Sequence, residues 1–155
     1  MLRTAATAIL GVAILAAGAS AQNYSLNPIY GTVNLSGGFT PDPYVISLQS
    51  GGTINANQTI GGNCVGYVAN APDVRLNFRA GSLPLIISVN SSADTTLVIN
   101  APDGNWYCDD DGGNGLNPSI RWNAPMSGQY DIWVGTWGSA SNASAQLHIS
   151  EIYSQ

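Results

Sequence analysis

Gly128-Gln-Tyr-Asp-Ile-Trp-Val-Gly-Thr136 alternates along its length, so Tyr130, Ile132 and Val134 share one face while Asp131, Trp133 and Gly135 share the other. That is the pattern of a strand with one face in a core. The final stretch repeats it, with Leu147 and Ile149 alternating with Gln146, His148 and Ser150. Working outward from these two strands, helical periodicity is absent after residue 21. Short β-branched and aromatic runs are instead broken roughly every 8–12 residues by Gly, Pro, Asn and Asp. Strands are expected at Tyr30–Leu35, Tyr44–Gln49, Gly52–Ile54, Cys64–Ala69, Asp73–Arg79, Leu83–Asn90, Thr95–Asn100, Ser119–Asn123, Gly128–Thr136 and Ser144–Ile152. Pro102-Asp-Gly104 and Met126-Ser-Gly128 read as tight turns. The rhythm predicts an all-β, jelly-roll-like antiparallel sandwich of about 8–10 strands.

Residues 1–21 read as a secretory signal, with Arg3 at its start, an apolar run from Ile9 to Ala17 too short to span a bilayer, and Ala19-Ser-Ala21 as a cleavage site. What remains suits one domain, a loose lead at 22–29 followed by a single sandwich at 30–155. Export to a secreted or periplasmic location changes the reading of Cys64 and Cys108. Two thiols in an oxidising compartment predict one disulfide, which in the chain-entropy model stabilises a loop of roughly 45 residues by about 4 kcal/mol.

Without Arg3 the cations are Arg75, Arg79 and Arg121, there is no Lys, and nine acids leave a formal net charge of −6. Nucleic acid and anionic lipid are poor partners for that surface. A divalent cation or a neutral, hydroxyl-rich polymer fits better. The arginines are expected to pair structurally with Asp73, Asp131 or Glu151.

Charge concentrates between Asp94 and Gly115, which hold five of the nine acidic residues. Two readings stand for Asp109-Asp-Asp-Gly-Gly-Asn-Gly115. Calcium needs six to eight hard oxygens, and Asp109, Asp110 and Asp111 with Asp94 could supply carboxylates to it. Equally, Asp and Gly dominate solvated turns because Asx side chains bond their own backbone. The spacing is not that of an EF-hand.

Aromatics form the second candidate site: Trp133 and Trp137 on one side of a strand, His148 at outward parity on the next, and Trp106 and Tyr107 beside the acidic loop. Flat indoles can stack sugar rings, while the ordinary alternative is packing under loops. No Gly-x-Ser-x-Gly segment accompanies the single His148, so no nucleophile and base are evident and a non-catalytic protein is expected. Sequons at Asn23, Asn34, Asn57, Asn90 and Asn142 matter only in a host that glycosylates them.

Asp94-Thr-Thr-Leu-Val-Ile, Asp103-Gly, Cys108-Asp-Asp and Ser127-Gly-Gln-Tyr-Asp-Ile-Trp-Val134 together resemble the bacterial pre-peptidase C-terminal domain, over about Leu83–Ser150. That family has a strand opening D-T-x-L, a D-D loop and a closing G-x-Y-x-I-x-V strand. The resemblance implies a fold similar to the collagen-binding domains of clostridial collagenases: a jelly-roll-like, non-catalytic sandwich that sometimes holds calcium at one end. This chain departs from the family in carrying no protease domain, and its N-terminal half lies outside the match. The expectation is a secreted binding module, calcium-binding at the acidic loop and recognising a glycan or collagen-like polymer. A self-associating surface or matrix protein is the alternative, and a small secreted hydrolase the weakest reading.

Overall fold

The computed structural model describes residues 22–155, and the expected signal at residues 1–21 lies outside them. In chain order the elements are β1 (Thr32–Ser36), β2 (Tyr44–Ser50), β3 (Ile54–Asn55), α1 (Ala56–Thr59), β4 (Tyr67–Val68), β5 (Val74–Arg79), β6 (Leu85–Ser91), β7 (Thr95–Asn100), β8 (Trp106–Asp109), β9 (Ser119–Trp122), β10 (Gly128–Thr136) and β11 (Ala143–Ser150). Four strands form one sheet in the order β2-β11-β6-β9, and the other seven form the second sheet around β10. The all-β sandwich expected from the alternation is the fold.

Alternation decides where the core lies. Tyr130, Ile132 and Val134 of β10 meet Leu147 and Ile149 of β11, Leu85, Ile87 and Val89 of β6, and Leu97 and Ile99 of β7 in one buried cluster between the sheets. Trp122 stands edge-on to both Tyr107 and Tyr130, with ring centroids 5.3 and 5.4 Å apart, and closes one end of that layer. The Tyr130 hydroxyl donates to the Met126 carbonyl at 2.8 Å, which ties the turn before β10 to the core.

Strand β10 is central because it has partners on both sides. It pairs antiparallel with β7 along Asp131–Thr136, with β5 along Gly128–Ile132, and with β4 at Thr136. Between the β5 and β4 pairings a side chain completes the ladder: Val134 N–H donates to Asp73 Oδ2 at 2.8 Å. The Val134 carbonyl accepts from Gly51 N–H at 2.8 Å. A carboxyl group thus replaces a strand backbone where the neighbour changes, so none of these buried β10 groups is orphaned.

Several expectations need correction. Strand β8 was not expected, because Pro102-Asp-Gly104 and the acidic run on either side of Trp106–Asp109 masked a short strand that pairs with β7. The expected strand Cys64–Ala69 shrinks to Tyr67–Val68, since Gly66 with φ +88° breaks the extended run before it. A single helical turn, α1, appears where none was expected, capped by the Asn55 side chain accepting from Asn57 N–H and Gln58 N–H. The sandwich is not wholly antiparallel, as β1 runs parallel to β5 after the chain crosses through β2 and the β3–β4 segment. The lead before β1 is tied down, not loose. Asn23 N–H donates to Asn70 O at 2.8 Å, Ile29 N–H to Pro72 O at 2.8 Å and Tyr30 N–H to Asp73 O at 2.7 Å.

Candidate functional site

The outer face of the seven-stranded sheet is divided in two. Over one half, the β3–α1–β4 segment packs Ala56, Cys64 and Val68 onto Trp133 and Val98, forming a second small core. Two features bring that cover close. A Cβ on Gly135 would meet Thr96 Oγ1 at 2.3 Å and Tyr67 O at 3.0 Å, so only glycine lets β4 approach β10 there. The disulfide Cys64–Cys108, with Cα atoms 4.9 Å apart, then joins the cover to β8.

This cover corrects one site expectation. Trp133 is fully buried and cannot present its indole to a ligand, although its outward strand parity was read correctly. Alternation reports which side of a sheet a residue occupies, and not whether something else covers that side.

Over the other half the face stays open. A groove of about 530 Å³ is lined by Asn100, Trp106, Gln129 and Asp131, with Tyr24 of the lead on its rim. Trp106, which lines it, rests on the buried Trp133 with centroids 5.4 Å apart and planes inclined by 46°. Asp131 stands opposite Asn100 in the β10–β7 register. Its carboxylate accepts from Arg75 Nε at 2.7 Å and from Gln129 Nε2 at 2.7 Å. Arg75 also donates through Nη2 to the carbonyls of Tyr24 and Leu26, so the same cation that neutralises the groove floor fixes the rim. Beyond Gln129 the face continues as a shelf of Asn34 and Asn77, whose amides are bonded at 2.9 Å. The groove therefore offers an aromatic wall, an aromatic rim and a row of amides, with its single carboxylate already paired.

The remaining expected residues scatter. Tyr107 points to the other side of β8, packs on the main core and donates to Asp103 Oδ2 at 2.8 Å. The Asn105 backbone amide, with help from that hydroxyl, holds the Asp103 carboxyl below its ordinary range. Trp137 lies past the end of β10, 52% exposed, with its backbone N–H donating to the Asp94 carbonyl at 3.1 Å. His148 sits on the outer face of the four-stranded sheet, buried, with both ring nitrogens lacking a hydrogen-bond partner. Burial holds its pKa below the usual histidine range.

At the acidic loop, Asp109 is committed to structure, its Oδ2 accepting from Gly112 N–H at 2.8 Å and Ser119 N–H at 2.9 Å. Asp94 is pushed above the usual carboxylate range by desolvation and then by the charges of Asp111 and Asp110. Among the described residues no three His, Cys, Asp or Glu side chains are grouped so as to hold a metal ion. The loop thus places the charges of Asp110 and Asp111 beside Asp94.

A different buried carboxyl is the most perturbed. Desolvation pushes Asp73 up to about 7, only partly offset by its bond from Val134 N–H. Of the three acids expected to pair with the arginines, Asp73, Asp131 and Glu151, it is Asp131 that Arg75 holds. The sequence alone does not single out Tyr24, Asn100 and Gln129. The outward parity of Asp131 pointed to its sheet neighbours Asn100 and Gln129, whereas nothing local indicated that the lead folds back to place Tyr24.

No helix among the described residues is long and apolar enough to cross a membrane. No family model matches the chain, and no curated relative matches it. Among solved structures it is similar to PliG of Aeromonas hydrophila, a periplasmic lysozyme inhibitor of g-type lysozyme, at 13% identity and a TM-score of 0.39, with 77% of this chain and 96% of that chain covered. A likeness at that level carries neither fold nor function across.

Proposed function

We propose that this chain is an exported, non-catalytic binding module for a neutral, hydroxyl-rich polymer, held in the groove between Trp106 and Tyr24. The observation that carries this reading is the groove's inventory: two aromatic side chains flank Asn100, Gln129 and an Asp131 already neutralised by Arg75. Sugar rings present an apolar face for stacking and hydroxyls for amides, which donate and accept at once. A charged ligand would meet no unpaired counter-charge. Glycoside hydrolysis calls for two carboxyl groups flanking one bond, and Asp131 alone lines this groove. The resemblance to pre-peptidase C-terminal domains points the same way. Affinity electrophoresis in gels containing a β-glucan, an α-glucan or a galactomannan tests the reading. One polymer should retard the protein and Trp106→Ala should run freely; unretarded migration in all three gels would sink it.

A second, lesser reading concerns the acidic rim. Asp94 is raised first by desolvation and then by the charges of Asp111 and Asp110, and that neighbouring negative charge favours a weak divalent-cation contact at Asp94, Asp110 and Asp111. Calcium there would act as a screening ion on an exposed surface, and melting with calcium and with chelator tests it.

A further inference from the structure

The outer face of the four-stranded sheet carries a second groove of about 730 Å³, on the opposite side of the sandwich from the first. Its lining includes Tyr30, Ser47, Gln49, Asn90, Ser144 and Gln146. The placement follows from strand register. Gln146 of β11 lies directly between Ser47 of β2 and Asn90 of β6, and Ser144 lies opposite Gln49, so one row of outward side chains runs across three strands and a second across two. Gln49, Asn90, Ser144 and Gln146 are all exposed, and Gln49 Nε2 donates to Ser144 Oγ at 3.1 Å. Tyr30 stands at the rim, its hydroxyl fixed by accepting from Gln49 N–H at 2.9 Å. No charged residue lines this groove, in a chain with a formal net charge of −5.

We infer that this is a second binding face for the same class of ligand, so that one module holds two polymer segments and cross-links them. The inference rests on the reading of the first groove as a site for a neutral, hydroxyl-rich polymer. Two observations support the same occupant here. The lining repeats the first groove's chemistry, amides and an aromatic rim, without ionic groups that would select a charged partner. Both rims also come from one stretch of chain, Tyr24 facing the first groove and Tyr30 the second, each tied to a sheet by hydrogen bonds. The second groove has no tryptophan wall, so it should bind more weakly than the first. Because stacked sheets lie about 10 Å apart with side chains beyond them, a short oligosaccharide cannot fill both grooves at once. Two faces then give cross-linking, and avidity on a polymer exceeds the affinity of either face.

The test uses the full exported chain and a hexasaccharide of whichever of the three polysaccharides retards it, with stoichiometry read by calorimetry. Wild type should bind two hexasaccharides per chain, Trp106→Ala one, Asn90→Ala/Gln146→Ala one, and the combined variant none. Mixing wild type with the intact polymer should raise light scattering, and either single-face variant should abolish that rise, with Asn90→Ala/Gln146→Ala, whose side chains are exposed, keeping the wild-type melting midpoint. One hexasaccharide per wild-type chain, unaffected by Asn90→Ala/Gln146→Ala, would overturn the second face and leave the first standing. If one binds and Trp106→Ala retains it while Asn90→Ala/Gln146→Ala loses it, the first-groove reading falls and bivalency with it.

Discussion

The two outer faces of this sandwich are built by the same alternation and end in different states. On the seven-stranded sheet, outward-pointing Trp133 is sealed beneath Ala56, Cys64 and Val68, and a disulfide fastens the cover. On the four-stranded sheet, outward-pointing His148 is buried, yet its ring finds no hydrogen-bond partner. Nearby residues there are tied by polar contacts instead: Gln155 N–H donates to Ser88 Oγ at 3.1 Å, and Ser154 Oγ bonds to Ser119 Oγ at 2.5 Å. Half of one face has become a second core, while on the other the row that holds His148 lies beside serines bonded to the C-terminal residues. The difference teaches that strand parity sets direction and the intervening chain sets environment.

Breaking the sealed face should have the largest effect. Trp133→Ala removes a fully buried indole that supports Trp106 and should cost about 3–5 kcal/mol in denaturant unfolding. Replacing Cys64 and Cys108 together with Ser should cost about 2–5 kcal/mol by freeing the covering segment. A loss under 1 kcal/mol in both experiments, against the roughly 3 kcal/mol scale expected of such sites, would show that the cover is not integral to the fold.

The contrast between the faces also marks how far sequence alone could reach. The strands with clean alternation, β10 and β11, were legible with their faces, because a half-buried strand writes its environment into a two-residue period. Cys64–Cys108 was legible too, since two cysteines in a chain expected to meet an oxidising compartment leave one pairing. Burial of Trp133 was not, because it depends on Gly135 and Gly66 admitting a distant segment, and no local pattern encodes that approach. The groove was half legible: Trp106 stood out as an aromatic beside a loop, whereas Tyr24 belongs to a lead held by backbone bonds and by Arg75. Asp109 looked like a metal ligand for the reason it serves as a turn closer, a carboxylate that satisfies backbone amides.

Two buried titrating groups sharpen the comparison through pH. Asp73 is raised to about 7 from an ordinary 3.8, so the folded state holds its proton more tightly than the unfolded state does. Its contribution is therefore complete below about pH 4 and is lost as pH rises through 7. His148 acts in the opposite sense. Its folded pKa lies below the ordinary 6.5, so its contribution is present above that value and is lost as pH falls through the lowered one. Melting curves from pH 4 to 8 should therefore respond differently to two variants. Asp73→Asn should flatten the decline toward alkaline pH while keeping an acceptor for Val134 N–H, and His148→Leu should flatten the decline toward acid. A pH profile that neither substitution alters would remove both assignments.

The smallest effect should come from the acidic rim, where charge is dense but water is close. Asp110 and Asp111 set negative charge beside the half-buried Asp94, and a bound cation relieves that repulsion, while Oδ2 of Asp109 is held by two backbone amides. At a calcium concentration near its dissociation constant the linkage term is about 0.4 kcal/mol, a rise in midpoint of roughly 1–2 °C for a domain of this size. Asp94→Asn should erase that rise and itself change stability by under about 1 kcal/mol, as exposed charges do. A shift of roughly 10 °C would instead mean that calcium closes a full oxygen shell by rearranging the loop. No shift at all would leave Asp109 to Gly115 as a turn held by its own backbone.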